Sequence, residues 1–218
     1  HVYSRGNQKQ TIFISDEDRY FFLKILRDAH ERHNLVIHLY CLMDSHYHLT
    51  LETPEANLSR IMHFINSAYS IHLNTKYGRC GHLFQGRFKA ILVQADAYAR
   101  TLTCYIHANP VVKSIVDRPE KYAWSSCQDY FGLRKPPPWL SRRVIMGSFG
   151  DSVEILIQEH ERYLQTPGGP ATETDLKKAS RVGIWGNPDF IDEIRRAYLT
   201  DRMEHPDSEL CELRRLRV

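Results

Sequence analysis

Two histidines one residue apart, His46 and His48, stand in the stretch Cys41-Leu42-Met43-Asp44-Ser45-His46-Tyr47-His48-Leu49-Thr50-Leu51-Glu52. An apolar run meets a polar pair, Asp44-Ser45, and a second alternating run follows, the pattern of a tight β-hairpin. Side chains alternate faces along a strand, so His46 and His48 point one way and Tyr47 the other. Two imidazoles on one face can grip a divalent ion. Further on, Tyr105 and Asn109 are four apart and share one helical face. The Asn109 amide oxygen can complete a facial ligand set with the two imidazoles, while the Tyr105 phenol stands ready to attack. A phenol is a weak nucleophile at neutral pH, its pKa lying near ~10. A divalent ion that draws charge from a phosphorus centre and steadies the leaving oxygen offsets that weakness. Two imidazoles and one amide oxygen leave positions open for phosphate and water, which suits Mg²⁺ or Mn²⁺. Glu52 shares the strand face of the two histidines and is a rival third ligand.

These side chains need a scaffold, and the hydrophobic pattern supplies one. His1–Ser4 reads as a strand and Arg5-Gly6-Asn7 as a turn. Ser15 or Asp16 can cap a helix over residues 18–32, with Phe21, Phe22, Ile25 and Leu26 on its apolar side. Residues 35–43 and 46–52 form the hairpin. A second helix covers about 57–77 and stops at Gly78-Arg79-Cys80-Gly81. A fourth strand spans 87–93, and Asp96 caps a third helix that ends at Asn109, because Pro110 disfavours helix at the residue before it. The order β-α-β-β-α-β-α predicts an α+β fold, an antiparallel sheet backed by helices in a ferredoxin-like arrangement. Residues 1–130 are expected to form this domain and 131–140, holding Lys135-Pro136-Pro137-Pro138, a stiff linker. Residues 141–218 read as a small helical appendage whose last stretch, from Arg202, is charged and frayed.

Composition narrows the partners. With 42% hydrophobic and 11% aromatic residues the chain has ample material for a core. Its apolar runs are far too short to cross a bilayer, so no membrane partner is expected. Five scattered cysteines without a CxxC pair point to reduced thiols and a cytoplasmic setting. The first residue already lies in a strand-like run without an initiator Met, which suggests a trimmed fragment. Between Arg60 and Arg118 there are eight Lys/Arg against two acids, in a chain whose net charge is only +3. A basic middle in an otherwise acidic chain suggests a polyanion.

Ser4-Arg5-Gly6-Asn7, Leu42-Met43-Asp44-Ser45-His46-Tyr47-His48, Tyr77-Gly78-Arg79 with Phe84-Gln85-Gly86-Arg87-Phe88-Lys89, and Tyr105-Ile106-His107-Ala108-Asn109-Pro110-Val111 together resemble the REP-associated tyrosine transposases, which are single-tyrosine HUH transposases. The likeness covers roughly residues 1–130, with four motifs in order. It implies an HUH nuclease fold in which His46 and His48 hold the ion and Asn109 takes the third position. Tyr105 would attack single-stranded DNA, leaving a 5′-phosphotyrosine and a free 3′-hydroxyl. It further implies that Arg5 and Asn7 read the bases beside a DNA hairpin, and that the loop and strand carrying Arg79, Gln85, Arg87 and Lys89 form the DNA groove, where Phe84 and Phe88 can stack on bases. The family tends to carry Asn where Ser45 stands, and Arg just past the Asn-Pro-Val, where Val112-Lys113 stand. The appendage resembles helical tails found on some members.

The expected function is metal-dependent nicking and joining of single-stranded, hairpin-bearing repeat DNA, by a monomer or homodimer. One alternative is a DNA-binding protein of the same fold without cleavage, and another is a metal-dependent hydrolase of small phosphates. His38, His63, His72 and His107 carry no assigned chemistry, and Trp124 and Trp185 read as packing anchors.

Overall fold

The structure, a computed structural model, describes residues 1–166 and 172–204. Four strands make an antiparallel sheet: β1 (Val2–Arg5), β2 (Val36–Met43), β3 (His46–Glu52) and β4 (Lys89–Ala90), in the order β2-β3-β1-β4. That is the expected ferredoxin-like order, and all three pairings are antiparallel. The hairpin turns on Asp44-Ser45 alone, with Met43 opposite His46 and Cys41 opposite His48. The fourth strand is shorter than expected. Only Lys89 and Ala90 pair with β1, and β5 (Leu92–Val93) pairs instead, in parallel, with β6 (Ile184–Trp185).

One face of the sheet is covered by α1 (Asp16–His33) and α2 (Leu58–Tyr77). Phe22 packs on Tyr47 at 4.9 Å between ring centres, and the Tyr47 hydroxyl donates to Asn66 at 2.6 Å. The start of α1 is capped by Asp18, whose carboxylate accepts from the backbone N–H of Ser15 at 2.8 Å and of Ile14 at 3.0 Å. The same carboxylate accepts from Lys76 and Tyr77 at the far end of α2, so the two helices are pinned together. Gly78, with φ of 59°, ends α2 in the left-handed conformation a glycine adopts without strain.

The other face carries α3 (Ala95–Val112). This helix passes through Pro110 instead of ending at Asn109. Pro110 has no N–H to offer the carbonyl four residues back, and the stop is made three residues later by Lys113 and by Ser114 at φ 56°. Pro110 is buried there.

Beyond α3 the chain returns along the β2 edge through α4 (Cys127–Tyr130), with Ser125 bridging to Cys41 and Leu140 to Ile37. Trp139 and Leu140 are buried directly after the proline run. Then follow α5 (Arg143–Ser148), α6 (Val153–Gln165), α7 (Thr172–Val182) and α8 (Pro188–Glu204). Trp185 packs on Tyr98 of α3 at 4.9 Å between ring centres, the planes tilted by 39°, and the Gln94 side chain accepts from the Asn187 N–H at 2.9 Å. The frayed tail expected from Arg202 falls, past Glu204, outside the described residues.

Candidate DNA-processing site

The site is built on the α3 face of the sheet. Pairing of β1 with β3 sets Arg5 opposite His46 and Tyr3 opposite His48, so these four share a face with His1. The His46 and His48 rings lie 5.2 Å apart, nearly perpendicular. The Tyr105 ring meets His48 edge-on at 5.7 Å between centres, so α3 brings the tyrosine against the second histidine of the pair.

Each imidazole is oriented from its Nδ1 side. Ser45 Oγ lies 3.2 Å from His46 Nδ1, and His1 Nε2 lies 3.0 Å from His48 Nδ1. Ser45 and His1 thus occupy the Nδ1 side of the two rings. Burial pushes the His46 pKa down to about 4, and the positive charges of Arg5 and Lys113 add to the effect against Asp44. Burial, His46 and Arg5 hold His48 well below its usual value. Both rings are therefore neutral at pH 7, the form that donates a lone pair to a metal. Asn109 is buried and its Nδ2 donates to the Tyr105 carbonyl at 2.8 Å, so its Oδ1 is the atom with a lone pair to offer an ion. It sits one turn after Tyr105 and one before Lys113, whose charge reaches His46. Two neutral imidazoles and an amide oxygen fit a hard or borderline divalent ion. Among the described residues no group of three His, Cys, Asp or Glu side chains offers another metal site.

Glu52 is not part of this cluster. It lies at the opposite end of the hairpin and its carboxylate faces His38 Nε2 at 3.2 Å. Along a strand the six residues from His46 to Glu52 span about 20 Å, too far to share an ion.

The groove residues lie beside the cluster. Arg5, Asn7, Gln85, Arg87 and Lys89 are exposed. The Gln85 N–H donates to the Arg5 carbonyl at 2.9 Å and the Asn7 N–H to Leu83 at 2.8 Å, which draws the loop onto the turn. Gly6 makes this possible, because a Cβ there would lie 2.3 Å from the Gln10 carbonyl oxygen. Arg79 is half-buried and bound to the Gln10 side chain, so it buttresses the loop. Phe84 is 8% exposed and packs on Tyr47, which removes it from base stacking; Phe88 is half-buried.

Two participants escaped sequence reasoning. His1 is 7% exposed, stacks on His48 at 5.2 Å and meets Tyr105 edge-on at 6.3 Å. Alternation along β1 sets His1, Tyr3 and Arg5 on one face, but that face acquires meaning only once β1 is known to pair with β3. Ser45 looked like a plain turn residue.

A family model described as IS200-like transposase matches residues 1–109. No curated protein and no solved structure matches the chain. No helix among the described residues is long and apolar enough to cross a membrane.

Proposed function

The chain belongs to the IS200-like transposase family, a family of metal-dependent DNA-processing enzymes, and we propose that it nicks and rejoins single-stranded DNA through Tyr105. The observation that carries this reading is the edge-on approach of the Tyr105 ring to His48, which shares its strand face with His46. The phenolic oxygen attacks the phosphorus and the bond to the 3′ oxygen breaks. The chain then holds a 5′-phosphotyrosine, and the released 3′ oxygen takes up the proton that the phenol has lost. Attack by a 3′-hydroxyl reverses the exchange, so joining needs no external energy. His46, His48 and Asn109 would hold Mg²⁺ or Mn²⁺, which when bound supplies charge stabilisation to the reacting phosphate. Arg5 and Lys113 set a positive field at the site that favours the phosphodiester. Arg5, Asn7, Gln85, Arg87 and Lys89 form the approach for the strand beside a DNA hairpin, with Arg79 supporting the loop from behind. A cytoplasmic setting and action as a monomer or homodimer belong to the same reading.

The test is incubation with a hairpin-bearing oligonucleotide and Mn²⁺, followed by denaturing electrophoresis. A covalent protein–DNA species is expected from the unaltered chain and none from Tyr105→Phe, with binding of the oligonucleotide retained by both. An adduct that persists without the Tyr105 hydroxyl overturns the assignment. Binding without any adduct would instead mark a DNA-binding protein that lacks cleavage.

A further inference from the structure

Tyr105 and Asn109 occupy one stripe of α3, and His107, two residues after Tyr105, lies about 200° round the helix axis. It faces away from the site and is fully buried. His107 Nδ1 lies 3.0 Å from His160 Nε2 on α6, and His107 Nε2 lies 2.9 Å from Ser126 Oγ. His160 Nδ1 lies 2.8 Å from the carbonyl of Leu156, with Cys104 Sγ farther off at 3.7 Å. The Tyr40 N–H of β2 donates to the same Ser126 Oγ at 3.2 Å.

The direction of every bond follows from one end. A carbonyl only accepts, so His160 carries its proton on Nδ1 and its Nε2 is an acceptor. His107 must then donate from Nδ1, which leaves its Nε2 to accept the Ser126 hydroxyl proton at 2.9 Å, a shorter contact than the 3.3 Å from the same hydroxyl to the Tyr40 carbonyl. The result is a one-way chain from the sheet, through the tyrosine helix, to the appendage.

We propose that His107 and His160 are positioning residues that set the rotation of α3, and hence the place of the Tyr105 hydroxyl, by fastening the back of that helix to β2 and α6. The proposal rests on Tyr105 being the nucleophile. Apolar packing alone tolerates small rotations of a helix, whereas a directional chain across three elements does not. A displacement of about 1 Å at the reacting atom costs on the order of a hundredfold in rate. The appendage, on this reading, is part of the reaction machinery.

The experiment uses the full chain. Long-range ¹H–¹⁵N NMR of the unaltered protein is expected to show His160 and His107 both protonated on Nδ1; a proton on His160 Nε2 overturns the chain whatever the variants do. His160→Leu is expected to lower the single-turnover rate of adduct formation, on a hairpin oligonucleotide with Mn²⁺, by about tenfold or more, with affinity for the same oligonucleotide in EDTA within about twofold of normal. His160→Gln, whose amide can accept from His107 and donate to Leu156, is expected to recover the rate to within about threefold. A folded His160→Leu with a normal rate overturns the positioning role alone. Absence of any Tyr105-dependent adduct in the unaltered chain overturns the nucleophile reading beneath it.

Discussion

At the scale of single residues the site depends on which nitrogen of each imidazole is occupied. His1 meets His48 on Nδ1 and Ser45 meets His46 on Nδ1, so each ring is held from that side. Partners of this kind around metal-binding histidines typically govern affinity by about 10- to 100-fold when removed. His1→Phe keeps a flat ring against His48 but deletes the hydrogen bond. It is expected to weaken Mn²⁺ binding, followed by isothermal titration, by about that factor, with the melting temperature little changed. An unaltered Mn²⁺ affinity would mean that His1 merely fills space. Ser45 stands where an Asn was expected from the family pattern. Its hydroxyl still reaches His46, so the orienting contact survives the exchange.

At the scale of elements, two junctions hold the site open. The turn after β1 is pressed against the hairpin mouth, Gly6 N–H donating to Ser45 O at 2.8 Å, while the Gln10 carbonyl occupies the space a side chain would need. Gly6→Ala is therefore expected to lower stability by about 1–3 kcal/mol, read as a reduced urea midpoint. It should also impair metal binding, because the displaced turn carries Ser45 with it. The second junction joins α3 to α6 through His160. Burial brings its pKa down to about 4, against about 6.5 in an unfolded chain. Between those values the unfolded chain binds more protons than the folded one, so stability rises with pH. Lowering the pH from 7 toward 4 is expected to remove up to about 3 kcal/mol of stability through this residue. Urea melts across that range should show a flatter pH dependence in His160→Leu; equal slopes in the two proteins would contradict it.

At the scale of the whole molecule, the long polypeptide after α3 is packed onto the core. Trp139 and Leu140 are buried, Leu140 bridges to Ile37, and β6 extends the run that leads into α3. The division into a domain over 1–130 and an appendage over 141–218 is thus proposed as a description of sequence, with cohesion between the parts. Ending the chain after Thr166 removes β6 and Trp185 and bares Tyr98 on the tyrosine helix. That truncation is expected to lower the melting temperature by several degrees, about what a loss of 1–2 kcal/mol produces in a chain of this size. An unchanged melting temperature would show that β6 and α8 contribute nothing to the core.

By itself the sequence determined what depends on neighbours along the chain. The His46–His48 alternation, the Asp44-Ser45 turn, the stop at Gly78 and the shared stripe of Tyr105 and Asn109 follow from periods of two and 3.6 residues. The strand order followed as well, because short connections leave few ways to close such a succession of elements. What only the tertiary structure decided is what depends on contacts between distant segments. Phe84 turned inward, Glu52 went to His38, Arg79 went to Gln10, and His1 and His107 acquired partners no local pattern names. The helix ran on through Pro110 for the same reason. Local periodicity says which side of an element a residue takes, and only the packing of one element against another says what is waiting on that side.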